Sequence, residues 1–381
     1  MNYPFTEEQK TIQALARSVA VNSIRPNALQ FDESQEFPHF LLQALAETGL
    51  SGVYIDEQYG GIGGGTTELT LVVEQLSMEC AGMALCFAGT ALSAYPVMLF
   101  GTDEQRKKYL TRVASGSWVG AFALTEEGAG SDAAAVSTQA CLEDGYYCIN
   151  GAKQWISNGG VADYYVVAAS TNRSRGARGL TAFLVDKETE GLKIGKKENK
   201  MGIRASSTTQ LFFDNCRIPV GNRIGREGEG FKIVMKTLDH SRPGVAAQAI
   251  GIAQGAYDEA LKHVKSRTQF GQPIGSFQAV QHLLADMATQ IEAARALLYQ
   301  TCRFIDSNPK RFSTEAAMVK VFASDMAMKV TTDAVQLMGG YGYMKDYPVE
   351  KRMRDAKITQ IYEGANQVLR NIIGLNITSA K

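Results

Sequence analysis

Apolar residues recur at helical spacing through the first third of the chain. Thr6, with Gln9 three positions later, has the pattern of a helix N-cap. Ile12, Leu15 and Val19 then follow at intervals that place them on one face of a helix. Patterns of this kind continue to about residue 117, so the first third is predicted to be helical.

A glycine-rich run at 60–65 interrupts this helical pattern. Such a run would suggest a phosphate-binding loop if Gly-Lys-Ser/Thr followed it, but no such sequence follows. We therefore predict a plain loop that precedes a helix near Leu69.

Short β-rich runs replace the helical spacing between about residues 119 and 228. Two dipeptides, Asp144-Gly145 and Asp214-Asn215, are predicted to form turns between them. The runs lie at 146–149, 164–167, 181–185 and 210–213. Together they predict a compact antiparallel β domain.

After Gly230 the apolar positions return to a period of 3.6 residues. Long amphipathic helices of this kind bury their apolar stripes against one another in a bundle. The three stripes contain Ile250, Ala253, Tyr257 and Leu261; Leu283, Met287, Ile291 and Leu298; and Val321, Met326 and Val330. The predicted fold class is α+β, with an N-terminal helical domain at 1–118, a middle antiparallel β domain at 119–228 and a C-terminal four-helix bundle at 229–381.

Charge and cysteine content argue against several classes of function. Lys and Arg number 39, as do Asp and Glu, so the chain has no excess positive charge with which to bind nucleic acid. The six cysteines form no CxxC pair and the four histidines no ligand pattern, which predicts reduced thiols and no metal. The first residues resemble no targeting leader, and we expect no apolar run of the length needed to span a bilayer. We expect a soluble, cytoplasmic protein without membrane insertion.

Five short motifs along the chain carry potential chemistry. They read TEEGAGSD at 125–132, WISN at 155–158, GGYG at 339–342, RD at 354–355 and QIYEGANQ at 360–367. In this order and spacing they resemble the acyl-CoA dehydrogenases, flavoenzymes that desaturate acyl-CoA thioesters between Cα and Cβ. The resemblance covers essentially the whole chain and implies the same succession of helical, β and helical-bundle domains.

Glu363 is the residue predicted to act as the catalytic base. Desaturation needs a base for the Cα proton and a cofactor for the Cβ hydride, because no side chain can accept a hydride. By identity alone, a glutamate is more often a solvated surface group. In the family, however, the usual base follows Ile-Tyr and precedes Gly, as Glu363 does. Other members carry the base on an earlier helix, at the position of Ser241, and a serine cannot serve in this role.

The resemblance implies FAD as the cofactor and assigns residues around its ring system. Trp155 would pack beside the isoalloxazine, although in isolation it would be read as an ordinary core aromatic. Ser157, which replaces the commoner threonine, would form a hydrogen bond to flavin N5. The Leu124 backbone and Thr125 would contact the ring, and Ser131 would contact the CoA portion of the substrate.

Arg267 resembles the arginine that pairs with the FAD pyrophosphate, a task to which a planar guanidinium is well suited. Without the other motifs it would be read as a surface charge. In the family this arginine and the segment 336–340 reach the FAD of a neighbouring subunit, which implies a homo-oligomer, most simply a tetramer. The further cofactor contacts that the resemblance implies are Gln278, Gln336, Gly339, Gly340, Ala365 and Gln367.

Substrate contacts are assigned by the same resemblance. Asp239 and Arg242 match positions that bind CoA, although two such residues at i,i+3 on a helix would also form a surface ion pair. Gly364, next to the predicted base, is also assigned to the substrate. Two residues depart from the family pattern: Glu127 stands where proline is usual, and Ala365 replaces a threonine whose hydroxyl contacts FAD.

The predicted function is FAD-dependent conversion of a short-chain acyl-CoA into the trans-2-enoyl-CoA, with electrons passed to an electron-transfer flavoprotein. The alternatives are an acyl-CoA oxidase that uses O2, a dehydrogenase of branched or cyclic acyl groups, and a non-catalytic flavin- or acyl-CoA-binding relative. Members that accept glutaryl-CoA carry an arginine in the helix that lines the acyl pocket. The matching stretch 81–92 holds no Lys, Arg or His, so an uncharged acyl chain is predicted.

Overall fold

A computed structural model of the protein describes residues 3–379. Its first third is helical, as the sequence predicts. The helices are α1 Glu7–Val19, α2 Ala28–Ser34, α3 His39–Glu47, α4 Thr66–Ser77, α5 Ala81–Phe100 and α6 Asp103–Ala114. The predicted N-cap is confirmed, because the Thr6 hydroxyl accepts from the Gln9 backbone N–H and the Gln9 side chain accepts from the Thr6 N–H.

The glycine-rich run 60–65 forms a plain loop before α4, as predicted. The N-terminal amides of α4 are already satisfied by a distant side chain. The Asp306 carboxylate accepts hydrogen bonds from the backbone N–H groups of Thr66 (2.7 Å) and Thr67 (3.0 Å). These are the donors that a phosphate-binding loop would offer to its ligand, so this helix end is occupied by protein.

Helix α5 corrects the expectation that no apolar run reaches membrane-spanning length. It is 20 residues long and apolar enough to cross a bilayer by length and composition alone. Within the fold, 72% of its most hydrophobic window is buried. Pro96 and small polar residues interrupt the apolar residues of this segment, so its full length was not recognised in the sequence. In this structure it is a core helix.

The middle third forms one eight-stranded sheet. Its strands are β1 Gly120–Ala123, β2 Gln139–Glu143, β3 Tyr146–Ser157, β4 Tyr164–Ser170, β5 Leu180–Asp186, β6 Leu192–Lys197, β7 Thr208–Pro219 and β8 Arg223–Ile224. The order is β6-β7-β3-β2-β4-β5-β8, with β1 paired to β4. All four predicted β-rich runs lie in strands. The sheet is mostly antiparallel, as predicted, and β4 adds parallel pairings with β1 and β2.

Of the two predicted turns, one is confirmed and the other was wrong. Asp144-Gly145 joins β2 to β3 with both residues in the left-handed region, as a tight hairpin requires. Asp214-Asn215 instead lies inside β7. Asn215 has φ 50°, and its N–H donates to the Asn150 side chain at 2.8 Å, where the β3–β7 register shifts. The pair therefore marks a β-bulge.

The last third is mostly helical. Its elements are α7 Gly230–Ser266, the short β9 Thr268–Gln269 and β10 Gln272–Pro273, α8 Gln278–Asp306, α9 Ser313–Met338, α10 Pro348–Thr359 and α11 Asn366–Ser379. The predicted stripes pack together, with Ile250, Met287 and Val330 fully or almost fully buried. Helix α7 packs against α8, α9 and α10 and also against α4 and α5, so the two helical parts share one core.

Candidate functional site

A cavity of about 310 Å³ lies between α5, the β sheet, α7 and the loop that joins α10 to α11. Its volume falls within the range of roughly 300–1,000 Å³ that is typical of small-molecule sites. Its walls are largely apolar, with Leu85, Leu92, Phe122 and Phe231 among them. Eight residues that the sequence predicted line it: Leu124, Thr125, Ser131, Trp155, Ser157, Arg242, Glu363 and Gly364.

Glu363 lies in the loop between α10 and α11, in a backbone conformation that is unusual for its type. Its φ is 54°, in the left-handed region that costs a non-glycine residue conformational energy. Gly364 follows with φ 101°, and a Cβ there would approach a Leu369 side-chain carbon to 2.8 Å. The turn therefore requires glycine at 364 and aims the glutamate side chain at the cavity wall.

The Glu363 carboxylate is half-buried and has a defined set of neighbours. The Ser241 hydroxyl donates to its Oε2, and the Arg242 Nε donates to its backbone carbonyl at 3.3 Å. Burial raises the pKa of Glu363, while the Ser241 hydrogen bond and the charges of Arg242 and Lys320 oppose that rise. A carboxyl group whose pKa is raised toward neutrality is suited to accept a proton in catalysis.

Asp239 and Arg242 form the i,i+3 ion pair that was the alternative to a CoA-binding role. The Arg242 Nη1 lies 2.8 Å from the Asp239 Oδ1, and both side chains are almost fully buried. The second Asp239 oxygen accepts from the Ser313 hydroxyl. Arg242 lines the cavity and also contacts the Glu363 backbone, so one of its structural tasks is to hold the predicted base. A CoA contact for the pair stays a prediction.

The strand that carries Trp155 is irregular, and the indole is exposed. Trp155 has φ 59° and lies where the β3–β7 register shifts between Lys153 and Ile156. Its side chain is 56% exposed, which is unusual for tryptophan. Three residues later, the buried Asn158 amide donates to the carbonyls of Cys86 and Gly120, both at 3.1 Å. Asn158 thus anchors the end of β3 to α5 and β1.

A buried ion pair supports the segment that contains Leu124 and Thr125. The fully buried Lys153 Nζ donates to the Leu124 carbonyl at 2.9 Å and to a Glu126 oxygen at 2.7 Å. Burial alone would raise the pKa of Glu126, but Lys153 and hydrogen bonds from Ser137 and Thr138 hold it at about 2. The sequence did not reveal this pair, because the two residues lie 27 positions apart and only folding buries them together.

Glu127 does not loosen the turn in which it replaces proline. The backbone of Glu126 and that of Ala129 exchange two hydrogen bonds, at 3.2 and 3.1 Å, across this turn. Glu127 itself is exposed. The departure from the family pattern therefore leaves the local backbone closed.

The other predicted cofactor residues are not among the described residues, 3–379, that line this cavity. The Arg267 guanidinium lies 5.4 Å from the centre of the Tyr341 ring, which brings it beside the glycine turn 339–342. Gly339 has φ 58°, and space is open around the Cβ positions of both Gly339 and Gly340. Arg267, Gln278, Gln336, Gly339 and Gly340 are all exposed, while Ala365 and Gln367 follow Glu363 at the start of α11.

The cavity residues fit a flavin ring system. The exposed Trp155 indole offers a flat apolar surface, and Ser157 lies beside it on the cavity wall with a hydroxyl group. Leu124 and Thr125 line the same wall and are held by the Lys153 ion pair. Such a combination of aromatic surface and a few fixed polar groups is typical of cofactor sites.

Comparison with known protein families matches all three parts of the chain. Residues 6–117 match the acyl-CoA dehydrogenase N-terminal domain, residues 121–216 its middle domain and residues 228–378 its C-terminal domain. The chain is also 45% identical over 374 residues to a short-chain-specific acyl-CoA dehydrogenase of Clostridium acetobutylicum, covering 98% of each chain.

Solved structures agree with this assignment. The fold matches butyryl-CoA dehydrogenase from Megasphaera elsdenii with a TM-score of 0.97 and 44% identity, over 99% of this chain and 100% of the other. It also matches a chain in a structure described as an electron transferring flavoprotein of Acidaminococcus fermentans, with a TM-score of 0.98 and 46% identity over 100% of both chains. The chain therefore belongs to the acyl-CoA dehydrogenase family and is an FAD-dependent oxidoreductase that acts on acyl-CoA thioesters.

Proposed function

We propose that this enzyme converts a short-chain acyl-CoA into the trans-2-enoyl-CoA, with Glu363 as the base that removes the Cα proton. The observation that carries the proposal is the half-buried Glu363 carboxylate, with its raised pKa, on the wall of the cavity that Trp155 and Ser157 also line. A base and a cofactor surface on one cavity are what removal of two hydrogens from adjacent carbons requires.

The chain's own residues bind the substrate, position it and exclude water. The apolar side chains of Leu85, Leu92 and Phe122 would surround the acyl group and keep water away from the Glu363 carboxylate. On the strength of the family resemblance, the Glu363 backbone N–H is assigned to the thioester carbonyl, where negative charge develops as the proton leaves. FAD, when bound beside Trp155 and Ser157, supplies the acceptor for the Cβ hydride.

The substrate class and the electron acceptor are inferred from the relatives. The Clostridium acetobutylicum protein is described as short-chain specific, and the Megasphaera elsdenii structure is of a butyryl-CoA dehydrogenase. The Acidaminococcus fermentans structure is described as that of an electron transferring flavoprotein. We therefore include butyryl-CoA as substrate and an electron-transfer flavoprotein as partner in the proposal, together with the predicted homotetramer and cytoplasmic location.

Anaerobic addition of butyryl-CoA to the FAD-loaded enzyme tests this proposal. We expect the flavin absorbance near its visible maximum to fall within seconds, because the hydride moves to the cofactor. Admission of O2 alone should restore the absorbance slowly, and addition of an electron-transfer flavoprotein should restore it fast. Rapid reoxidation by O2 would instead identify an oxidase, and an unchanged spectrum would identify a non-catalytic binder.

Replacement of Arg267 is expected to weaken FAD retention and subunit assembly together. The exposed guanidinium would neutralise a pyrophosphate at a subunit boundary, so Arg267→Ala should lower both the flavin content and the fraction of oligomer on gel filtration. Lys265→Ala, an exposed lysine on the last turn of α7, is the matched control and should change neither. An Arg267→Ala protein that stays fully flavin-loaded and assembled would rule out this placement.

A further inference from the structure

Lys320 is a buried cation beneath the loop that carries Glu363. It lies on α9 with no exposed surface. Its Nζ donates to the Gly364 carbonyl at 2.8 Å and to the Asn366 Oδ1 at 2.9 Å. These contacts lie on the C-terminal side of Glu363, whereas Arg242 of α7 holds the Glu363 carbonyl itself.

Asn366, which accepts from Lys320, also forms hydrogen bonds to two further residues of α9. Its Nδ2 donates to the Ser324 hydroxyl and to the Asp325 Oδ1, both at 2.8 Å. The Gln360 side chain, at the other end of the loop, donates to the same Asp325 oxygen at 2.6 Å. Lys320, Ser324 and Asp325 on consecutive turns of α9 therefore hold both ends of the loop in which Glu363 has its left-handed conformation.

Packing alone gives no reason for an ammonium group at this position. Taking a charge out of water is costly, and good hydrogen bonds and nearby opposite charges are needed to offset that cost. Burial lowers the pKa of Lys320 to about 7, against the opposing effect of the Glu363 charge. Lys320 is therefore protonated on the acidic side of about pH 7, and there its positive charge acts on Glu363.

We propose that Lys320 is a positioning residue for the catalytic base: it fixes the Glu363 loop through Gly364 and Asn366, and its positive charge favours the ionised form of Glu363. This inference rests on the proposed role of Glu363. Lys320 lies on α9, 43 positions before Glu363 in the sequence. The inference adds it to the residues that control removal of the Cα proton.

The direction of the electrostatic effect follows from the groups around Glu363. Ser241 and Arg242 from α7 and Lys320 from α9 act on the Glu363 carboxylate. The charge of Glu363 acts in turn on Tyr95 from α5 and on the neighbouring Tyr362, and the charge of Asp325 from α9 acts on Lys320. Burial raises the pKa of Glu363, and the Lys320 charge lowers it. Removal of that charge must therefore raise the pKa of Glu363 further and shift its ionisation to higher pH.

The test is the pH dependence of kcat/KM for butyryl-CoA in the FAD-loaded Lys320→Met enzyme, since this profile reports the pKa values of the free enzyme. We expect the acidic limb to move upward by roughly one pH unit, as removal of a nearby opposite charge does. Lys320→Arg keeps the charge and should keep the limb near its wild-type position, even if kcat falls. Lys329→Met, an exposed lysine on the same helix paired with Asp333, is the control and should leave the profile unchanged.

A second variant separates the charge of Lys320 from its hydrogen bonds. Asn366→Ala removes one contact of the loop and keeps the cation, so it should lower kcat without moving the acidic limb. A uniform loss of rate in Lys320→Met, with no shift of that limb, would overturn the proposal. If Lys320→Met does not retain FAD, Lys320→Gln is measured in the same way; failure of both neutral variants to load FAD would make Lys320 a folding residue and would also overturn it.

The Glu363→Gln enzyme, measured in parallel, separates this inference from the proposed function. An active Glu363→Gln enzyme would mean that the base lies elsewhere, whatever Lys320 does. An inactive Glu363→Gln enzyme together with an unmoved limb in Lys320→Met would reject the role of Lys320 alone.

Discussion

The Glu363→Gln enzyme is expected to bind FAD and butyryl-CoA nearly as well as wild type and to lose most of its turnover. Glutamine preserves the shape of the side chain, and its amide can still meet the Ser241 hydroxyl that contacts Oε2 in the wild type. It cannot accept the Cα proton, and general base catalysis contributes about 10²–10⁴-fold to the rate. The measurement is kcat with an artificial electron acceptor, together with flavin content and substrate binding by spectral titration.

The control for this substitution is Glu188→Gln, an exposed glutamate in the loop that follows β5. Its kcat should equal that of wild type. Retention of more than about a tenth of the wild-type rate by Glu363→Gln would be incompatible with its role as the base, because the remaining rate would exceed what the loss of a general base allows. The base would then have to be sought elsewhere on the cavity wall.

The second large effect is discrimination between butyryl-CoA and glutaryl-CoA. The stretch 81–92 forms the first part of α5, and Leu85, Gly89 and Leu92 line the cavity. It carries no cation to meet a distal carboxylate. Burial of an unpaired carboxylate costs on the order of several kcal/mol, and each 1.36 kcal/mol of lost transition-state binding is about tenfold in rate. We expect kcat/KM for butyryl-CoA to exceed that for glutaryl-CoA by at least roughly a hundredfold.

Arg242 lines the cavity and is the positively charged side chain that a glutaryl carboxylate would meet there. Its guanidinium is committed to Asp239 at 2.8 Å and to the Glu363 carbonyl at 3.3 Å, so a glutaryl carboxylate would have to compete for it. Uncharged chains of four to six carbons provide the matched series, because they differ in length without adding charge. Comparable kcat/KM values for butyryl-CoA and glutaryl-CoA would mean that a cation does reach the acyl group, and the assignment of 81–92 would have to be abandoned.

Local periodicity was enough to predict most of the secondary structure. The stripes through Ile250, Met287 and Val330 lie in three long helices, and the four β-rich runs lie in strands. Apolar spacing reports which face of an element is buried, and that is a property of neighbouring residues in the sequence.

Strand pairing was not available from local pattern. The parallel pairing of β4 with β1 and β2 joins segments that are apart in the sequence, and the local pattern of each strand does not specify its partner. The same limit explains Asn215, whose left-handed conformation suits a turn and a bulge equally well. The division of the chain at residues 118 and 228 stays a prediction.

The sequence by itself determined the family, the order of helical and β parts and the identity of the residue expected to act as base. Only the tertiary structure decided which polar residues support that base. Lys320 and Lys153 look like ordinary surface residues in the sequence, and the WISN motif does not reveal that Asn158 is buried, because residue identity does not reveal burial. Each becomes significant through a partner brought close by folding: Gly364, Glu126 and Cys86 respectively. The physical reason is that hydrogen bonds and charges act over a few ångströms in space, whatever the separation along the chain.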